Sequence, residues 1–290
     1  MPELPEVETV CRTVKPFILN RTITAISFPN NYLSVIAHCQ QKHCHQQKQD
    51  TNDFDKREEL SGQIVDQKII NVFRRGKYVI WQLTNGLLAF HLRMTGRLVH
   101  TPLDDLKHVT FALDLDDGNT IYFKDTRKFG RIYWYSSVDA FENSHQLGIE
   151  PLSDDFSPTY LENILKNYRQ QIKPFLLNQK YLVGLGNIYV DEALWLTEIH
   201  PTTPCHTLSP GKIYQLHSSI QEILRQSIQL NGTTFLNFYF DKDQKGSYKE
   251  LLNVFGRQGQ KCNRCHDTIK KIRIAQRGTH YCATCQPVQQ

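Results

Sequence analysis

Cys262-Asn-Arg-Cys-His-Asp-Thr-Ile-Lys-Lys-Ile-Arg-Ile-Ala-Gln-Arg-Gly-Thr-His-Tyr-Cys-Ala-Thr-Cys285 sets two Cys-x-x-Cys pairs sixteen residues apart near the end of the chain. Each pair fits one tight turn, so two turns can close around a single tetrahedral Zn²⁺. Four thiolate ligands leave no open coordination position, which makes Cys262, Cys265, Cys282 and Cys285 the ligands of one structural zinc. The alternative is a pair of disulfides, which suits a secreted chain, and nothing in the sequence suggests secretion. Between the pairs, Ile269 to Tyr281 alternates as a strand, a glycine turn and a second strand. The expectation is a zinc-clamped β-hairpin with Arg277 at its tip.

This hairpin is also where the charge lies. Residues 257–290 carry Arg257, Lys261, Arg264, Lys270, Lys271, Arg273 and Arg277 against Asp267, a net +6, while the whole chain of 290 residues is +5. A basic terminal module of this kind suits a polyanion, most often nucleic acid. No run of about 18 apolar residues and no apolar leader are present, so a soluble, cytoplasmic protein with no membrane association is expected. Cys11, Cys39, Cys44 and Cys205 lack paired spacing and read as free thiols.

Working toward the N-terminus, the texture changes twice. Ser209-Pro210 and Ser157-Pro158 each place an N-cap before proline at the first helical position. The second helix has an apolar face of Ile213, Leu216, Ile220, Ile223, Leu224 and Ile228 and ends at Asn231-Gly232. Val183-Gly-Leu-Gly-Asn187 precedes a further helix and by itself reads as an ordinary interhelical turn, with glycines that let backbone amides approach a phosphate as the alternative. Leu147 to Ser157 reads as a linker. Before it, Tyr78–Leu83, Leu87–Leu92, Val109–Leu115 and Thr120–Phe123 form successive hairpins around Thr84-Asn-Gly and Asp116-Asp-Gly-Asn, the pattern of a β-sandwich or barrel. The polar stretch from His38 to Glu59 reads as a solvated loop insertion, with metal binding by His38, Cys39, His43, Cys44 and His45 as the alternative. Val7, Val10, Val14 and Phe17 give helical spacing from Glu3 onward.

The chain starts Met-Pro-Glu. Loss of Met1 would leave Pro2 with a secondary α-amine, and α-amines have reference pKa values of about 7.7–8.0. Such an amine can attack an aldehyde-like carbon while a neighbouring acid, Glu3, protonates the departing oxygen, although Pro-Glu at a start, taken alone, is more often only a helix N-terminus. Basic residues beside glycines recur in Phe73-Arg-Arg-Gly-Lys77-Tyr, His91-Leu-Arg-Met94-Thr-Gly and Asp125-Thr-Arg127-Lys-Phe129-Gly, where Met94 and Phe129 could fill a gap in a base stack. For either side chain, burial in the core is the plainer reading.

Taken in order, Met-Pro-Glu-Leu-Pro-Glu-Val-Glu-Thr-Val, Arg-Arg-Gly-Lys-Tyr, His-Leu-Arg-Met-Thr-Gly, Asp-x-Arg-Lys-Phe-Gly, Gly-Leu-Gly-Asn-Ile-Tyr-Val-Asp-Glu and Gln-Arg-Gly-Thr-His-Tyr-Cys closely resemble bacterial formamidopyrimidine-DNA glycosylases over nearly the whole chain. The resemblance implies an α+β protein: an N-terminal β-sandwich with flanking helices (residues 1–146), a linker (147–157), a helix-two-turns-helix domain (158–255) and a zinc β-hairpin finger (256–290). It implies a monomeric base-excision repair enzyme on double-stranded DNA. The enzyme would remove 8-oxoguanine and formamidopyrimidines and cut abasic sites by β,δ-elimination. Pro2 would attack C1′, Glu3 would donate the proton and Glu6 would assist. Lys77, Asn187 and Arg277 would grip phosphates around the flipped nucleotide, Lys77 and Arg277 within the catalytic set. Met94, Arg127 and Phe129 would fill the vacated space, with Arg127 facing the orphaned cytosine. Lys173, in Ile-Lys-Pro-Phe, would lie near the lesion, His108 in Lys107-His108 would contact a phosphate, and Lys245 would belong to a lesion-covering loop within Phe238–Lys249. His266 replaces a glycine usual in the family, which should alter that turn while sparing the metal. Two rivals remain: an endonuclease VIII-like enzyme for oxidised pyrimidines, and a non-catalytic zinc-ribbon DNA-binding protein.

Overall fold

A computed structural model describes residues 1–37, 53–100, 103, 105–233 and 246–288. The candidate ligands among His38–His45, and Lys245 with most of its loop, lie outside the described residues. The chain divides into two compact units, one of Met1–Pro2, Glu6–Gln146 and 234–246, the other of Glu3–Pro5, Leu147–Thr233 and Ser247–Gln290.

In the first unit, helix α1 (Leu4–Ile18) precedes β1 (Ile23–Ser27), α2 (Asp53–Ile64) and seven strands: β2 (Ile69–Arg75), β3 (Tyr78–Leu83), β4 (Leu87–His91), β5 (Gly96–Val99), β6 (Val109–Leu115), β7 (Thr120–Asp125) and β8 (Arg131–Tyr135). Helix α3 (Val138–His145) follows. The strands form two antiparallel sheets, ordered β1-β6-β7-β5 and β2-β3-β4-β8. Phe90 of the second sheet meets Phe111 and Phe123 of the first at 6.5 and 5.8 Å between ring centroids, so the two sheets enclose one core. This is the expected sandwich.

Strand β7 alternates between buried and part-exposed residues, whereas β3 and β4 are buried almost throughout. Continuous burial requires cover on both faces. Helix α1 adds its apolar residues to the sandwich core, and there Glu8 pairs with Arg74 at 3.3 Å and Lys15 Nζ donates to the Val72 carbonyl at 3.2 Å. Phe141 and His145 of α3 pack edge-on or tilted against Tyr78. The buried stripe of α1 is Val7, Val10, Cys11, Val14 and Ile18, while Phe17, expected on that face, is exposed. At 3.6 residues per turn Ile18, four positions after Val14, continues the stripe.

Part of the stretch expected as a loop is helical. Leu60 and Ile64, four residues apart, sit in the sandwich core and anchor α2, whose charged composition had concealed the pair.

The second unit holds α4 (Pro158–Leu165), α5 (Ile172–Leu177), α6 (Asn187–Leu196), α7 (Pro210–Gln229) and the hairpin β9 (Ile269–Ile274) and β10 (Arg277–Cys282). Both serine caps form: Ser157 Oγ accepts from Tyr160 N at 3.1 Å and Ser209 Oγ from Lys212 N at 3.4 Å. The stretch read as a linker is tied down at its start, with Gly148 N donating to the Gln179 carbonyl and Val183 N to that of Ile149. Among the described residues, no helix is long and apolar enough to cross a membrane.

Candidate nucleic-acid interface and metal centre

The metal centre is clearest. The four cysteine sulfurs lie within 4.8 Å of one another, with Cys262–Cys285 at 3.8 Å and Cys265–Cys282 at 3.4 Å. A tetrahedron with Zn–S bonds of about 2.3 Å has edges of roughly 3.8 Å, so the set fits one zinc ion. Backbone amides already point at the sulfurs: Arg264 N donates to Cys262 and Cys285 N to Cys282. Burial opposes ionisation of Cys262, but amide donors from Cys265 and Arg264 outweigh it and bring its thiol down to about 6. Cys11 and Cys205 are free and buried, and burial pushes each thiol up to about 12, as suits inert core residues. His266 takes the left-handed conformation (φ +64°) that a glycine would adopt freely. For a residue with a Cβ that conformation costs about 1–2 kcal/mol.

The hairpin turn is Ala275-Gln276 (φ +45° and +60°), and Gly278 pairs with Arg273 inside the ladder. A two-residue turn with both φ positive matches the right-handed twist of the strands, which is why it displaces the expected glycine turn. Arg277, the first residue of β10, is exposed beside it.

Two side chains hold the Gly278 carbonyl. Asn187 Nδ2 donates to it at 2.8 Å and Lys173 Nζ at 3.4 Å. Lys173 is fully buried and paired with Asp191 at 2.6 Å, while Asp191 also accepts from His280 N at 2.9 Å. Burial lowers the Lys173 pKa, and the Asp191 carboxylate opposes that shift. In this state Lys173 and Asn187 dock the hairpin onto α6. Removing one member of a buried ion pair costs about 3–5 kcal/mol. Lys173→Met should lower stability by that order in denaturant unfolding, and adding Asp191→Asn should recover part of the loss. Equal stability of wild type and Lys173→Met would remove the ion pair from this account.

The glycine turn before α6 does a different job from the one its sequence suggests. Glu3 Oε2 accepts from Gly186 N at 2.7 Å and Oε1 from Ile188 N at 2.9 Å, with Tyr189 N at 3.4 Å. A carboxylate thus occupies the N-terminus of α6 and satisfies amides that the helix leaves without an internal partner. A Cβ at Gly186 would overlap that carboxylate, which accounts for the glycine.

In the first unit, Pro2 and Glu6 are buried at the start of the chain, one helical turn apart in sequence. Lys77 is buried near His91, whose imidazole is driven down to about 3 by burial and by the Arg93 and Lys77 charges, and so stays neutral. His108 lies just before β6 with φ +69°, and its carbonyl accepts from Asp125 N. Met94, Arg127 and Phe129 come together. Arg127 Nη1 donates to Met94 Sδ at 2.9 Å and its guanidinium stands 4.8 Å from the Phe129 ring centroid. Met94 and Phe129 are 44% and 47% exposed, against the core burial that is the default for such residues. Sequence reasoning passed over His91, Asp125 and Asp191. Asp125, two residues before Arg127, carried a readable Asx-turn signal.

Family models described as the formamidopyrimidine-DNA glycosylase N-terminal domain, its H2TH domain, and the zinc finger found in FPG and IleRS match residues 1–132, 147–238 and 259–288. A formamidopyrimidine-DNA glycosylase of Chloroflexus aggregans is 39% identical over 296 residues, covering 100% of both chains. Wild-type Lactococcus lactis Fpg, solved with N7-benzyl-Fapy-dG containing DNA, superposes with a TM-score of 0.85 at 34% identity, covering 99% of this chain and 100% of that one. The same Lactococcus lactis protein with an oxidised pyrimidine containing DNA gives 0.84 at the same identity and coverage.

Proposed function

The chain belongs to the formamidopyrimidine-DNA glycosylase family, DNA glycosylases and abasic-site lyases of base excision repair, and we propose that it excises oxidised purines from duplex DNA through Pro2. The observation that carries this reading is the exposed Met94–Arg127–Phe129 cluster: two apolar side chains held half in solvent around a guanidinium suit a base stack about to be opened.

Once Met1 is removed, the neutral Pro2 amine attacks C1′ and the base departs with the glycosidic electron pair. The proton shed by the amine passes through the Glu3 carboxylate to the ring oxygen as the C1′–O4′ bond breaks, leaving an iminium. The iminium acidifies the C2′ proton, whose loss expels the 3′ phosphate, and the conjugated iminium so formed acidifies the C4′ proton, whose loss expels the 5′ phosphate. Glu6 assists beside the amine. Lys77, Asn187, His108 and Arg277 hold phosphates, Lys173 and Lys245 serve the lesion side, and Arg127 reads the orphaned cytosine. The protein acts as a monomer in the cytoplasm, where bacterial DNA lies.

Single-turnover excision from matched duplexes tests the lesion class. Faster release of 8-oxoguanine opposite cytosine than of an oxidised pyrimidine is expected, whereas a pyrimidine preference would support the endonuclease VIII-like rival. The Lactococcus lactis complex with an oxidised pyrimidine makes the ratio of the two rates the informative quantity. Binding with no excision of either lesion would support the non-catalytic zinc-ribbon alternative.

A further inference from the structure

We propose that Asp125 is the positioning residue that assembles the void-filling cluster before DNA arrives, an inference that rests on the reading of Met94, Arg127 and Phe129 given above. Asp125 is the last residue of β7 and is 1% exposed. Its Oδ1 accepts from the Thr95 hydroxyl and from Arg127 N at 3.2 Å, and its Oδ2 accepts from Gly130 N at 2.6 Å. Thr95 Oγ1 in turn accepts from Arg127 N at 3.1 Å. One buried carboxylate therefore ties the loop that carries Met94 to the loop that carries Arg127 and Phe129.

The backbone around this tie is confined as well. Asp125 N donates to the His108 carbonyl at 2.8 Å, and Lys128 N donates to the Asp125 carbonyl at 3.3 Å. Arg93 and Lys128, one in each loop, hold φ values of +54° and +58°. Non-glycine residues keep such values only where their surroundings impose them. A Cβ at Gly130 would run into the Phe123 ring and Asp125 Oδ2, so the glycine lets its amide reach the carboxylate.

The chemistry of the residue follows from its donors. Thr95 O–H, Arg127 N–H and Gly130 N–H all point at it, and an ionised carboxylate only accepts. Asparagine would turn an NH₂ group toward at least one of them. Ordering three side chains at the moment of extrusion would oppose base flipping through their lost rotamer freedom. The loop tie meets much of that cost during folding, because it leaves Arg127 already stacked on Phe129 and bonded to Met94.

The test compares wild type with Asp125→Asn, Thr95→Val and Arg127→Ala. It measures single-turnover excision of 8-oxoguanine opposite cytosine and opposite adenine, and cleavage at an abasic site in single-stranded DNA. A single strand has no stack to fill and no opposite base, so its cleavage depends on Pro2 and not on the cluster. For Asp125→Asn, duplex excision should fall on the order of 10²-fold, the scale of a misplaced contact. The cytosine-to-adenine ratio should contract while single-strand cleavage and zinc content hold. Thr95→Val should move the same readouts in the same direction by less.

Wild-type duplex excision by Asp125→Asn would overturn the proposal, as would an equal loss on duplex and single strand, which marks a general folding defect. Arg127→Ala separates the two levels. If it excises normally from duplex, the void-filling reading itself fails. If it is impaired while Asp125→Asn is not, only the role given to Asp125 fails.

Discussion

A chain that keeps Met1, or carries an uncleaved N-terminal extension, is expected to lose covalent trapping and to excise 8-oxoguanine at least on the order of 10³-fold more slowly, the scale of removing a nucleophile that works with its proton partner. With Met1 attached, the Pro2 nitrogen is an amide whose lone pair is delocalised into a carbonyl. It has no electron pair for C1′. The remaining parts of the account are untouched by the extension: the Arg127 cluster, the Glu3 carboxylate at α6 and the cysteine site involve no atom of Met1. Affinity for lesion duplexes should therefore persist while the chemistry stops. Measuring Kd beside single-turnover rates separates these. Near-normal excision by the blocked protein would mean that some other group attacks the sugar.

Removal of zinc should have the second-largest effect. The apolar cluster under β9 and β10 is small, with Trp195, Val254 and Ile269 packed around Cys262 and Cys282. A two-stranded hairpin is marginal in water by itself, whereas structural zinc sites contribute about 10–16 kcal/mol of apparent binding free energy. Chelation should release one zinc per chain, unfold the hairpin and lower duplex affinity on the order of 10²-fold. The α6 and α7 helices, held by their own contacts, should largely remain. Arg277→Ala makes the complementary case. Its side chain is exposed and removed from the sulfurs by the length of β10, so zinc content should stay at one per chain. Duplex affinity should nonetheless fall, and the slope of log K against log salt should shrink by about 0.9, the value for one lost phosphate contact. An apoprotein that binds duplex as well as the zinc form would contradict the role of the hairpin as a mount. Zinc loss in Arg277→Ala would contradict the division of labour.

What could be read from the sequence was what short spacing encodes. The two cysteine pairs, the two Ser-Pro caps and the hairpin turns of the sandwich are each complete within a few residues, and the structure places the elements where those signals stand. The rest depends on partners far apart in the chain. Glu3 meets Gly186 and Ile188 across more than 180 positions, so nothing local in the glycine turn shows that its amides have a carboxylate acceptor. The ion pair of Lys173 was not legible because its partner, Asp191, is eighteen residues away. Helix α2 was hidden for a compositional reason: its charged residues outnumber the Leu60–Ile64 pair that holds it to the core. At Ala275-Gln276 the strand register, which no local glycine marks, decided the turn.

The central claim is that the Pro2 nitrogen forms the bond to the sugar. Borohydride reduction during turnover of the mature protein on an 8-oxoguanine duplex, followed by proteolysis and mass mapping of the cross-linked peptide, tests it most directly. A single adduct on the N-terminal peptide, at Pro2, is expected. An adduct on a lysine such as Lys77 or Lys173, or strand cleavage with no trapped adduct, would contradict it.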